Sequence, residues 1–150
     1  MKILLLDIDH TISDAAWRDD MINDRDWDAY HSAGKDDKPI QETVELVNGL
    51  FVQGWEIICL TARPEKWYQH TIEWMVRHNV SVNEVLMRGN NDYTSAPDSK
   101  IAIIKKRFGE ALEGLLGHHV MLIDDNEKVI EAMRGLNITT MQITAAKRRT

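Results

Sequence analysis

The chain has 150 residues, the length of one ordinary domain able to bury a sizeable core. Its composition, 43% hydrophobic and 28% charged with 8 Gly and 3 Pro, excludes collagenous, low-complexity and disordered classes. A formal charge of −6 excludes the wrapping of long duplexes through many phosphate contacts, which relies on a basic surface, and leaves small or end-bound phosphorylated substrates open.

Lys2 to Asp7 reads as a strand, an apolar run cut off by an acid. The run is too short for a signal peptide, so a cytoplasmic location is expected. From His10 to Lys38 no clear periodicity appears, which marks an insertion over roughly 12–38; a connection that long usually has a job. It carries Trp17, Trp27, Tyr30 and His31, which either stack on bases or pack a small flap against the domain. Pro39 opens a helix over Ile40–Val52, and Glu56–Leu60 is the second strand. Inside it lies the single cysteine, Cys59, expected as a buried inert thiol with no disulfide partner. Pro64 opens a helix over Glu65–His78, in which Trp67 and Trp74 share one core-facing stripe.

A strand over Glu84–Met87, a helix over Ser99–Leu115, a strand over Val120–Ile123 and a helix over Glu127–Gly135 follow, with Gly135 as its C-cap. The last strand is Thr139–Ile143. His118-His119 lacks partner ligands at metal-binding spacing and reads as a turn, and Lys147-Arg148-Arg149 as a solvated tail. No apolar run approaches the ~20 residues that cross a bilayer, so no membrane partner is expected.

Strands alternating with helices are the pattern of βαβ units, which predicts an α/β fold over 1–150 as one domain: a parallel sheet with helices on both faces. The first, second and fourth strands, near-continuously apolar, are expected at the centre and the fifth at an edge. Ligands of such sheets bind at the carboxyl ends of the strands. The residues found there are Asp7-Ile8-Asp9-His10-Thr11, Thr61-Ala62-Arg63, Arg88 and Asp124-Asp125. Carboxylates crowded on one rim repel each other and need a cation; all-oxygen ligation by Asp7, Asp9, Asp124 and Asp125 points to Mg²⁺.

A hard cation lets a phosphoryl group meet a carboxylate, so Asp7 is the expected nucleophile, forming an acyl-phosphate that water hydrolyses. Asp9, on the same side of the extended strand end, suits the duties of acid and base. Thr61 can donate to a phosphoryl oxygen, and Lys100 can balance developing charge.

These residues resemble the motifs of the haloacid dehalogenase (HAD) superfamily: Asp7-Ile8-Asp9-His10-Thr11, then Thr61, then Lys100, then Asp124-Asp125. Within it Arg18, Asp26-Trp27, Asp37-Lys38-Pro39, Thr61-Ala62-Arg63-Pro64, Met87-Arg88 and Asp92 resemble the 3′-phosphatase domain of phage-type polynucleotide kinases. The resemblance implies a Rossmann-like three-layer fold with a small flap after the first strand and no large cap domain. It implies Asp7 as nucleophile, Asp9 as acid/base and backbone ligand of Mg²⁺, Asp124 as the metal-binding member of its pair, and Asp125 as support for Lys100 or the metal's water. It aims Arg18, Arg63 and Arg88 at the phosphate or the nucleic-acid end, with His10, Thr11 and Ala62 on the substrate side of the rim. His10 and Ala62 stand where relatives often have Gly, and the acid expected just before Lys100 is displaced to Asp98.

The implied partner is a phosphorylated nucleic-acid 3′ end or nucleotide, with no obligate protein partner. No Gly-x-x-x-x-Gly-Lys-Ser/Thr sequence occurs, so only phosphatase activity is expected. Two rivals stand beside this reading. One is a HAD phosphatase of a small metabolite or free nucleotide, which the fold alone does not separate. The other is a receiver-like signalling module, in which the acidic pair would follow the first strand, whereas here it comes last.

Overall fold

The apolar run at the amino end is buried on both sides, and that determines where everything else packs. In β1 (Lys2–Leu6), Ile3 and Leu5 enter one apolar cluster while Leu4 and Leu6 enter another, as side chains alternating across a strand must. The computed structural model describes residues 1–146, so the Lys147-Arg148-Arg149 ending lies outside the described residues.

Along the chain follow β2 (Ser13–Asp14), α1 (Asp20–Asn23), α2 (Trp27–Ala33), β3 (Lys38–Pro39), α3 (Gln41–Val52) and β4 (Trp55–Pro64). Then come α4 (Tyr68–Arg77), β5 (Glu84–Arg88), α5 (Ala96–Phe108), β6 (His119–Asp124), α6 (Glu127–Arg134) and β7 (Thr139–Gln142). Five strands form one parallel sheet in the order β5-β4-β1-β6-β7. The expected central strands are central and the last strand is at an edge. Ile104, Phe108, Val129, Ile130 and Met133 of α5 and α6 cover one face; Val44, Val47, Trp74 and Met75 of α3 and α4 cover the other. This is the three-layer architecture expected, a parallel sheet with helices on both faces. Because the order reverses around β1, the crevice at its carboxyl end is the topological switch point, where ligands of open α/β sheets bind.

Several boundaries differ from the expected ones for local reasons. The helix expected from Ser99 begins at Ala96, because Ser95 caps it by accepting from the Asp98 N–H at 3.3 Å and Pro97 fits the first turn. It stops at Phe108, since Gly109 takes φ 103°, a left-handed value suited to glycine. The helix expected over Glu65–His78 starts as a 3₁₀ turn, Glu65–Trp67, before α4. Cys59 is fully buried, and burial pushes its thiol up to about 12, so it is inert.

The insertion is ordered and its ends meet. Strands β2 and β3 pair antiparallel, Ser13 opposite Pro39 and Asp14 opposite Lys38, and the Ile40 N–H donates to the Ile12 carbonyl at 2.7 Å. No described helix is long and apolar enough to cross a membrane.

Candidate active site

Asp7 follows β1 directly and continues its ladder, its N–H donating to the Ile123 carbonyl at 3.0 Å. Its carboxylate is buried and held from two sides. Thr11 Oγ1 donates to Oδ2 at 2.7 Å, and Lys100 Nζ donates to Oδ1 at 2.8 Å. Lys100, in the second turn of α5 rather than at its start, also donates to Asp124 Oδ2 at 2.6 Å. Burial opposes the lysine's charge, but Asp7 and Asp124 overcome it and raise its pKa.

Asp124 ends β6, and its Oδ1 accepts from the Asn126 N–H at 2.9 Å, which fixes the carboxylate before α6 begins. Asp125 lies beside it. Burial, then the charge of Asp7, raises the pKa of both. Ligand oxygens of Asp7, Asp124 and Asp125 all lie within 4.8 Å of one another. Three hard oxygen donors gathered this closely fit a small divalent cation of the Mg²⁺ class.

Asp9 is brought to the same cleft, but its side chain is engaged elsewhere. Arg63 grips it as a fork, Nε to Oδ2 at 3.1 Å and Nη2 to Oδ1 at 2.7 Å, and Arg18 Nη2 also donates to Oδ1. Burial disfavours the Asp9 charge, yet Arg63 and Arg18 outweigh it and hold the carboxyl well below the usual range. Behind them Asp37 accepts from Arg18 Nε at 2.9 Å and Nη2 at 2.7 Å, and from Trp17 Nε1 at 2.8 Å. The Asp37 carbonyl takes the Trp74 Nε1 proton at 2.9 Å. Gly34 admits this cluster: a Cβ there would lie 3.3 Å from Arg18 Nη2 and 3.4 Å from Arg63 Nη2.

Arg18 and Arg63 are both buried; Arg63 lines the cleft beside Asp9, and Arg18 lies behind it. Arg88, at the end of β5, also lines the cleft; its Nε has no hydrogen-bond partner among the described residues, and its Nη1 donates weakly to the Asp92 carbonyl at 3.4 Å. Pairing of β4 with β5 shifts between Thr61 and Pro64, a bulge of the kind that re-aims side chains beside active sites. There Thr61 Oγ1 accepts from the Arg63 N–H at 3.1 Å, leaving its hydroxyl proton for another acceptor, and Ala62 lines the cleft. His10 also lines it, at φ 63°, with Nε2 3.1 Å from Asp19 Oδ1.

Asp37 and Asn126 are parts of the site to which the sequence reading gave no role. Asn126 shows the N-cap position after an acidic pair, whereas Asp37 stands just before β3 with nothing local to mark it as the partner of Arg18.

A family model described as the polynucleotide kinase PNKP phosphatase domain matches residues 1–147. No curated protein matches the chain. Among solved structures, a chain of the Pnkp1/Rnl/Hen1 complex is 23% identical with a TM-score of 0.77, the match covering 94% of this chain and 44% of that one. A second, from the Pnkp1/Rnl/Hen1 RNA repair complex, has the same identity and TM-score and covers 95% and 42%. This chain thus spans less than half of those proteins. A putative beta-phosphoglucomutase from Thermotoga maritima is 12% identical with a TM-score of 0.57, covering 100% of this chain and 88% of that one. The structural likenesses show the fold, and the family match over almost the whole chain supplies the activity: this chain belongs to the polynucleotide kinase PNKP phosphatase domain family and is a HAD-type phosphatase.

Proposed function

We propose that residues 1–150 act as one Mg²⁺-dependent phosphatase domain that removes 3′-phosphates from nucleic-acid ends or nucleotides through an aspartyl-phosphate on Asp7. The observation that carries this reading is the Asp7 carboxylate fixed between Thr11 and Lys100, with Asp9 held across the same cleft. Membership of a polynucleotide kinase phosphatase family favours a polynucleotide end over a free metabolite.

In this mechanism Asp7 Oδ attacks phosphorus, the bond from phosphorus to the leaving oxygen breaks, and Asp9 gives that oxygen its proton. Water then attacks the phosphoryl group and loses a proton to Asp9. The bond from phosphorus to Asp7 breaks and inorganic phosphate leaves. The arginines hold Asp9 ionised before substrate arrives. A phosphoryl dianion entering beside it opposes those two positive charges and favours the protonated form that the first step needs. Lys100 and the Thr61 hydroxyl face the charge that develops on the phosphoryl oxygens. Held by Asp7, Asp124 and Asp125, Mg²⁺ would neutralise phosphoryl charge as a Lewis acid.

The test is phosphate release, with Mg²⁺, from a 3′-phosphorylated oligonucleotide beside 3′- and 5′-mononucleotides and a panel of sugar phosphates. The oligonucleotide or the 3′-nucleotide should have the highest kcat/KM. Preference for a sugar phosphate would replace this reading with that of a metabolite phosphatase.

A further inference from the structure

The cleft in front of Asp7 and Asp9 measures about 920 Å³, far more than a phosphoryl group fills; sites of ~300–1,000 Å³ enclose a whole drug-sized ligand. Its outer wall includes Arg25, Trp27 and Tyr93. Three of the insertion's four candidate stacking groups are already engaged. Trp17 Nε1 is spent on Asp37, Tyr30 lies under the Arg18 guanidinium at 4.3 Å, and His31 packs between Trp27 and Trp67 with ring centroids 6.1 and 6.4 Å away. Trp27 differs. It is 51% exposed at the cleft, and the near-parallel His31 ring, 27° between planes, holds the indole in place.

Tyr93, on the loop after β5, is 87% exposed and has no ring contact among the described residues. Large aromatics left open to water inside the cleft that carries the chemistry need a reason, since burying them elsewhere would be favourable. Arg25 is exposed on the same wall, and its guanidinium pairs with no carboxylate among the described residues.

We propose that Trp27 and Tyr93 form the stacking surface for the base of the 3′-terminal nucleotide, and that Arg25 takes the phosphodiester on that nucleotide's 5′ side. The proposal rests on the 3′-phosphatase reading. Stacking uses the π-face that every base has, so recognition is independent of sequence. It also favours single-stranded ends, because a paired terminal base must first leave its own stack. One cation beside the terminal nucleotide suits a chain with a charge of −6, which engages the end and not the length of a strand.

The experiment compares kcat/KM on two 3′-phosphorylated single strands that differ only in the terminal residue, base-bearing in one and abasic in the other. The wild-type protein should prefer the base-bearing strand by about tenfold or more, the range expected for one stacked base. Trp27→Ala and Tyr93→Ala should each shrink that ratio, and Trp27→Phe should restore most of it. Arg25→Ala should cost more on a 3′-phosphorylated dinucleotide than on a 3′-mononucleotide that lacks the 5′ phosphodiester. Tyr93 is exposed enough that its variant tests the idea even if Trp27→Ala disturbs the flap. Equal wild-type rates on the two strands, or equal losses on both in the alanine variants, would overturn the stacking surface while leaving the 3′-phosphatase reading standing. Turnover of a small phosphate ester with neither strand hydrolysed would overturn that reading itself.

Discussion

Arg63 and Asp9 meet fork to fork, with both carboxylate oxygens engaged, and the third guanidinium nitrogen reaches Thr71 Oγ1 at 3.2 Å. A lysine has the charge but not the planar fork. Arg63→Lys should therefore lower kcat at least about tenfold with a smaller change in KM, because Asp9 loses its aim while phosphate binding persists. A raised KM at constant kcat would put Arg63 on the substrate. Arg63→Ala removes one side of a buried pair and should cost about 3 kcal/mol in denaturant unfolding. Asp9 titrates lower folded than unfolded, so its contribution to stability is present above the unfolded value near 4 and is lost as pH falls below it. The stability gap between wild type and Arg63→Ala should narrow as pH drops from about 4 toward 2.

Asp7→Asn keeps the shape of the side chain and removes one charge from the group Asp7, Asp124 and Asp125. Turnover should fall below about a hundredth of wild type, and the metal-free melting temperature should rise as repulsion is relieved. Phosphate release and thermal melting check both halves. Substantial remaining activity would take Asp7 out of the covalent role.

Metal removal gives a prediction with the opposite pH sign. Asp124 and Asp125 titrate higher folded than unfolded, so the metal-free protein holds protons there that the unfolded chain releases near pH 4. Their contribution to stability is greatest at low pH and is lost as pH rises toward about 8. Melting in EDTA should show this fall, Mg²⁺ should flatten it, and Asp124→Asn should need more Mg²⁺ than Asp125→Asn to recover activity. If activity survives thorough chelation, the acidic cluster has another purpose.

Gly34 separates stability from activity. It lies at an ordinary helical φ of −58°, so Ala is compatible with the backbone, yet the added Cβ crowds Arg18 and Arg63 at 3.3 to 3.4 Å. Gly34→Ala should change stability by less than about 1 kcal/mol, since helix propensity offsets the crowding, while kcat drops severalfold. Gly34→Val should lose both. Unchanged kcat in the alanine variant would mean that the guanidinium pair tolerates displacement.

The acids at the strand ends were legible because a parallel strand buried on both faces announces its own end: the apolar run stops at Asp7, and again at Asp124. Which strands are central followed from the same runs. The start of α5 carries a signal in Ser95 followed by Pro97 and Asp98, one turn before the expected boundary at Ser99. The purpose of Arg18 and Asp37 was not readable. They lie 19 positions apart, and Asp37 meets Trp74 across 37 more, separations at which no periodicity reports contact. Nor does a lone Arg between Trp17 and Asp19 reveal whether it points at solvent, substrate or a buried carboxylate.

The ladder between β2 and β3, together with the Arg18–Asp37 pair, divides the insertion into a neck and a tip. The neck holds Arg18, one of the two arginines on Asp9, with Asp37 behind it, and the tip carries Arg25 and Trp27. A segment tied at its base can change length cheaply, since doubling a loop costs only about 0.6 kcal/mol of closure entropy. On the proposed mechanism, substitutions, extensions or grafts beyond the neck should therefore change the substrate taken without disturbing the surroundings of Asp9. On that mechanism, changes within the neck should lower turnover of every substrate alike, so a lineage diversifying its substrates is expected to vary the tip while preserving the knot beneath it.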